Sequence, residues 1–81
     1  MPSHKIGDLL LYDKLFHMNL PPIWVLGVII GYKQLENETY YKVDWTDSFY
    51  GSTESEEHIE MYKRNLRRFK DEERMEHNRR S

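Results

Sequence analysis

His4, His17, His58 and His77 are the side chains of this chain best suited to acid–base or metal chemistry. None has a second histidine at helical metal-ligand spacing, and the sequence contains no H-E-x-x-H run. His58 stands among Glu54, Glu57 and Glu60. That set offers a weak cation site, but it reads more simply as the charged start of a helix. Asp44 and Asp47 have the types of a carboxylate pair, yet Asp47-Ser48 is a turn-forming dipeptide that accounts for the second. The chain has no cysteine, which excludes a thiolate nucleophile and thiolate metal ligands. Gly27 and Gly31 interrupt an apolar run rather than a strand-to-helix loop, so no phosphate-cradling turn is formed from them. The expectation is therefore a protein with no catalytic residues, no metal site and no cofactor.

Two sets of residues are suited to binding instead. The first is basic. Residues 1–62 hold four basic and ten acidic side chains, net −6, whereas residues 63–81 hold eight and four, net +4, which together give the −2 of the whole chain. At 100° per helical residue, Lys63, Arg67, Lys70 and Arg74 fall within about 60° of arc. Arg64 and Arg68 widen that face. Such a face suits phosphate contacts, although Asp71, Glu72, Glu73 and Glu76 dilute it and the acidic remainder of the chain repels a polyanion. The second set is aromatic and apolar. Phe16 and Met18 lie in a segment more apolar than a loop requires, and Trp24, Tyr40 and Tyr50 add amphipathic rings of the kind that dominate protein interfaces.

The elements that position these residues are legible from period and punctuation. "GDLLLY", 7–12, reads as a first strand after a turn. "DKLFHMNLPPI", 13–23, is a loop stiffened by Pro21 and Pro22. "WVLGVIIGY", 24–32, is a second strand, with Trp24, Leu26, Val28, Ile30 and Tyr32 on one face and both glycines on the other. The glycines are expected at a bend or a close approach, with Gly31→Val overpacking the site. "TYYKVDW", 39–45, alternates Tyr41, Val43 and Trp45 against Tyr40, Lys42 and Asp44. A short fourth strand falls within 49–54. Ile59, Tyr62, Leu66 and Phe69 then follow three-and-four spacing, the stripe of a helix over 55–76 with a frayed tail at 77–81. Thr53 and Glu56 have capping-box spacing, and Ser55 is the rival cap. The core is expected to hold Leu9, Leu11, Val28, Ile30, Tyr41, Val43 and Trp45.

The order "GD-L-L-Y", "G-V-I-x-G-Y" and "YYKVDWTD" resembles the Src-homology-3-like small barrels, the group that contains Tudor and KOW domains. The helix motif carried by Ser55, Glu56, Ile59, Tyr62, Asn65 and Leu66 is similar to one in small uncharacterised proteins of tailed phages. The resemblance covers residues 5–70. It implies a mainly β fold, a small barrel of four or five strands over 1–54 with the helix packed on it as one domain. A Tudor-like barrel further implies an aromatic cage, with candidates in Tyr12, Phe16, Trp24, Tyr32, Tyr40 and Tyr50. The turn "TDSFYG" and the long apolar first loop depart from the KOW pattern.

Together these readings predict a non-enzymatic binding module, a phage-encoded adaptor acting in the host cytoplasm. It would bind a host or phage protein through Phe16, Met18, Trp24, Tyr40 and Tyr50. The alternative is a nucleic-acid-binding protein using Lys63, Arg64, Arg67, Arg68, Lys70 and Arg74. A self-assembling protein using the helix stripe is the third reading, and a monomer or weak homodimer is expected. The apolar run of 23–32 is about half the ~20 residues a membrane span needs, so no membrane partner is expected.

Overall fold

A computed structural model describes residues 3–47 and 51–80. Four antiparallel strands form one sheet in the order β1-β2-β3-β4, with β1 Leu9–Asp13, β2 Trp24–Leu35, β3 Glu38–Trp45 and β4 Ser52–Ser55. The helix α1, Glu56–Arg80, follows β4 directly. It extends past residue 76, through the segment expected to fray. The molecule is mainly β with a C-terminal helix, as expected, but the sheet does not close into a barrel. Among the described residues β1 and β4 remain open edges, and the backbone of α1 runs close to β1, β3 and β4, while β2 meets the helix through core side chains. The helix thus lies across the inner face from one edge to the other, where further strand pairing would close a barrel. Asn65 Nδ2 donates to the Leu11 carbonyl at 3.0 Å, which satisfies an acceptor of β1 and shields that strand.

The core holds Leu10, Val25, Ile29, Tyr41, Val43, Trp45, Ile59 and Tyr62. The expected alternation of β3 is therefore observed, and the helix stripe enters the core through Ile59 and Tyr62. On β2 the opposite parity is inside. Val25 and Ile29 are buried, whereas Leu26 and Ile30 are exposed and Val28 is half-buried. On β1, Leu11 is buried as expected, but Leu9 is exposed and Leu10 enters the core. Leu9, Val28 and Ile30 are thus not core residues.

The register explains the inversion. Gly27 pairs with Trp45 and Ile29 with Val43, but Gly31 pairs with Lys42, so Ile30 is an extra residue at a bulge. The bulge shifts side-chain parity, and the two glycines end on opposite faces. Gly27 lies under the Trp45 ring, where a Cβ would come within 2.4 Å of the ring carbon Cε3. Gly31 lies beyond the bulge, and a Cβ there would meet nothing within 4 Å. The close approach belongs to Gly27, and the expected overpacking at Gly31 does not arise.

Ser55, not Thr53, caps the helix. The His58 amide donates to Ser55 Oγ at 3.5 Å, and Thr53 lies within β4. From Lys70 to Arg74 every side chain is exposed, so this stretch of the helix is clear of the sheet. Among the described residues, no helix is long and apolar enough to cross a membrane.

Candidate functional site

The loop between β1 and β2 is a braced structure rather than a slack connection. Asp13 Oδ1 accepts hydrogen bonds from the amides of Leu15, at 2.9 Å, and Ile23, at 3.3 Å, so one carboxylate ties both ends together. The Lys14 amide donates to the Ile23 carbonyl at 2.9 Å. Inside the loop, the amides of Phe16 and Met18 donate back to the carbonyls of Asp13 and Leu15. Asn19 takes a left-handed φ of 50°, which asparagine tolerates better than most residues. Lys14 Nζ reaches Asp47 at 3.4 Å, tying the loop to the end of β3.

This brace holds apolar side chains in water. Phe16 is 62% exposed, Met18 64% and Leu20 55%. Phe16, Leu20 and Pro22 form one wall of a groove of about 270 Å³, with Tyr12 and Trp24 contributed by the strands. Met61, Asn65 and Arg68 of α1 form the other wall. The aromatic cluster of Tyr12, Trp45 and Tyr62 supports the groove. Trp45 and Tyr62 meet edge to face at 5.1 Å, and Tyr12 approaches them at 5.8 and 6.0 Å. Burial, and then the nearby Glu54 carboxylate, push the Tyr62 phenol up to about 12. It therefore stays a neutral donor to Glu54 Oε2, at 3.3 Å, across the physiological range.

Of the expected protein-binding residues, Phe16 and Trp24 converge on this groove, and Met18 stands on the same loop. Tyr40 does not join them. It lies at the far end of the β2–β3 hairpin, in a depression of about 560 Å³ with Gly31, Tyr32, Leu35 and Lys42. Its hydroxyl donates to Glu38, which raises the Tyr40 pKa. Tyr50 lies outside the described residues. The Tudor-type cage candidates are divided in the same way, with Tyr12, Phe16 and Trp24 in the groove and Tyr32 and Tyr40 at the hairpin end.

The basic residues are also divided. Lys63, Arg64 and Arg67 line a cleft of about 510 Å³ with His4, Asp8, Leu9, Glu60 and Leu66. Arg68 lies on the opposite flank of the helix, in the aromatic groove, and Lys70 and Arg74 stand exposed farther along α1. Lys63 Nζ donates to Asp8 Oδ2 at 2.7 Å, and the Lys5 amide donates to the same oxygen at 2.9 Å. These two bonds, the lysine's first, hold the Asp8 pKa below its usual value. Sequence reasoning missed His4, Asp8, Leu9, Glu60 and Leu66 as cleft residues. The "GD" turn at Gly7-Asp8 was the available signal, because a turn there directs the N-terminal segment back over β1.

His58 Nδ1 contacts Glu54 at 2.8 Å. Among the described residues, no three histidine or carboxylate side chains gather where they could hold a metal ion. The chain matches no protein-family model, no curated protein and no solved structure.

Proposed function

We propose that this protein is a non-enzymatic binding module that holds a protein partner in the groove between the 14–23 loop and α1. The carrying observation is the braced loop with unburied apolar tips. A chain this small has little apolar surface to spare, and contiguous exposed patches of that kind mark interaction sites. The groove walls offer aromatic rings and Met61, with the Asp13 carboxylate and the Arg68 guanidinium both at the lining, which suits an extended segment with apolar side chains. Two of the residues weighed for chemistry in the sequence, Asp47 and His58, are engaged with Lys14 and Glu54. Ile59 and Tyr62 are spent in the core, which weighs against self-assembly through the helix stripe. The curved sheet is read as an open relative of the Src-homology-3-like barrels, and the phage-like motif extends the reading to an adaptor in a host cytoplasm.

Affinity capture from nuclease-treated host lysate tests the reading. The double variant Phe16→Asp/Leu20→Asp changes two exposed loop tips and should fold normally while losing the partner recovered by the wild type. Leu35→Ser, at the far end of the hairpin, should retain it. A folded double variant that recovers every wild-type partner would count against the groove.

A second reading, nucleic-acid binding, draws on the gathering of Lys63, Arg64 and Arg67 in one cleft. It requires steep salt dependence, with log K falling by about 0.7–0.9 per phosphate neutralised. Anisotropy titrations with short DNA and RNA at low salt separate the two readings.

A further inference from the structure

The sheet face that α1 leaves uncovered has a shape and a charge pattern of its own, separate from the aromatic groove. Leu9, Leu26 and Ile30 are exposed there, and Val28 is half-buried. The register joins them into one patch, because Leu9 lies beside Val28 and Leu11 beside Leu26. Two rows run from this patch onto β3. Val28 lies beside Asp44, and past the bulge Gly31 lies beside Lys42. Asp44 and Lys42 are two residues apart on one strand and so share a face. Both are exposed, and neither is ion-paired among the described residues. Gly31 leaves a hollow in its row. A Cβ there would meet nothing within 4 Å, and the depression of about 560 Å³ around it is walled by Leu35, Tyr40, Lys42 and Thr53. One row thus carries an apolar side chain and an acid, and the next carries a hole and a base.

We propose that two copies of this protein associate through this face, sheet against sheet, about a two-fold axis that crosses the strands at the level of Val43. Such an axis reverses the strand direction and keeps β2 over β2 and β3 over β3. The Asp44 row of one copy then lies over the Lys42 row of the other. Asp44 meets Lys42 of the partner subunit, Lys42 meets the partner's Asp44, and each Val28 points into the hollow above the partner's Gly31, as a two-fold contact requires. Stacked sheets sit about 10 Å apart and within about 30° of alignment, a gap that a lysine and an aspartate span together. The rim carries one charge of each sign, and residues 1–62 are net −6. The face therefore matches a second copy of itself better than a nucleic acid or an anionic membrane. Four partly exposed apolar side chains and two rim ion pairs make a contact below the ~1,200 Å² at which stable interfaces begin, so the dissociation constant is expected at about 0.1–1 mM. In unfolding experiments at micromolar concentration the chain is then monomeric and this face lies in water.

Sedimentation equilibrium of the whole chain from about 10 µM to about 1 mM tests the assignment, together with amide nuclear magnetic resonance shifts over the same range. A reversible monomer–dimer equilibrium is expected, with concentration-dependent shifts at Val28, Gly31, Lys42 and Asp44 and none at Phe16 or Met18. Gly31→Val fills the hollow without touching the packing of the single chain and should weaken association about tenfold or more. Lys42→Glu and Asp44→Lys, each of which sets like charges against each other, should do the same. An equimolar mixture of those two variants should associate at least as tightly as the wild type, because every facing pair is then of opposite sign. A chain that stays monomeric across the whole range would overturn the proposal and leave the face to a different protein. So would single variants that associate like the wild type, or a mixture no tighter than its two components. Because Phe16→Asp/Leu20→Asp leaves this face intact, that variant should dimerise normally whether or not it loses a protein partner.

Discussion

The inner and outer faces of the β1–β2 pair are built from nearly the same residue types, yet one is core and the other meets solvent. Leu10, Val25 and Ile29 lie beneath the helix, while Leu9, Leu26 and Ile30 on the same two strands are 41–48% exposed. Hydrophobicity does not separate the two sets; if anything the outer parity of β2 is the bulkier. What separates them is the partner each face must accommodate. The inner face has to receive the Trp45 ring, and only the parity containing Gly27 leaves room for it. A single glycine opposite a single tryptophan thus decides which of two apolar faces is buried. That choice fixes where the 13–23 loop emerges and which flanks of α1 become grooves.

The largest expected effect on this comparison is at the center of the inner face. Ile59→Ala removes a fully buried side chain and should cost about 2–5 kcal/mol. Urea unfolding followed by circular dichroism would measure it, and a loss near zero would place the helix stripe outside the core. A smaller loss is expected at the clamp between the N-terminal turn and α1. Lys63→Met breaks a half-buried pair with Asp8 and should cost about 0.5–1 kcal/mol at neutral pH. Because the Asp8 pKa is lowered, its contribution is present in full above the ordinary value of 3.8 and is lost as pH falls through the lowered folded value. The gap between wild type and Lys63→Met in denaturant melts should therefore close between about pH 5 and about pH 2. A gap that persists in acid would show that the lost packing of the lysine stem, not the ion pair, causes the effect. The smallest effect belongs to the outer face, where Ile30→Thr at the bulge should change stability by no more than about 0.5 kcal/mol. A loss comparable to that of Ile59→Ala would mean that the outer face is covered.

Much of this fold is legible in the sequence where one period holds without interruption. β3 alternates strictly, and Tyr41, Val43 and Trp45 are all buried. The stripe from Ile59 to Phe69 keeps helical spacing, and the helix forms there. β2 misleads because both of its parities are apolar and because the bulge at Ile30 shifts the parity midway, so neither simple alternation describes it. The open sheet was also hidden, since composition does not reveal that a helix rather than a further strand will lie between β1 and β4. The candidate site was legible in its residue types and not in its grouping. Phe16 and Trp24 line one groove because Asp13 ties the two ends of the loop together, a carboxylate whose role only the folded backbone reveals. Tyr40 shares their chemistry but lies at the other end of the sheet. The basic helix was visible as a run of charge, whereas its division between two flanks depends on how α1 crosses β1.

Gly27→Val and Gly31→Val, measured side by side by thermal unfolding, test the central claim most directly. At Gly27 the new side chain enters the space of the Trp45 ring, and the expected loss is about 1–3 kcal/mol. That corresponds to a fall in melting temperature of roughly 4–8 °C per kcal/mol in a domain of this size. At Gly31 the space is open and the backbone ordinary, and the melting temperature should stay within about 3 °C of wild type. A larger loss at Gly31 than at Gly27 would contradict the account, because it would place the bulky parity of β2 inside and the Gly27 face in solvent.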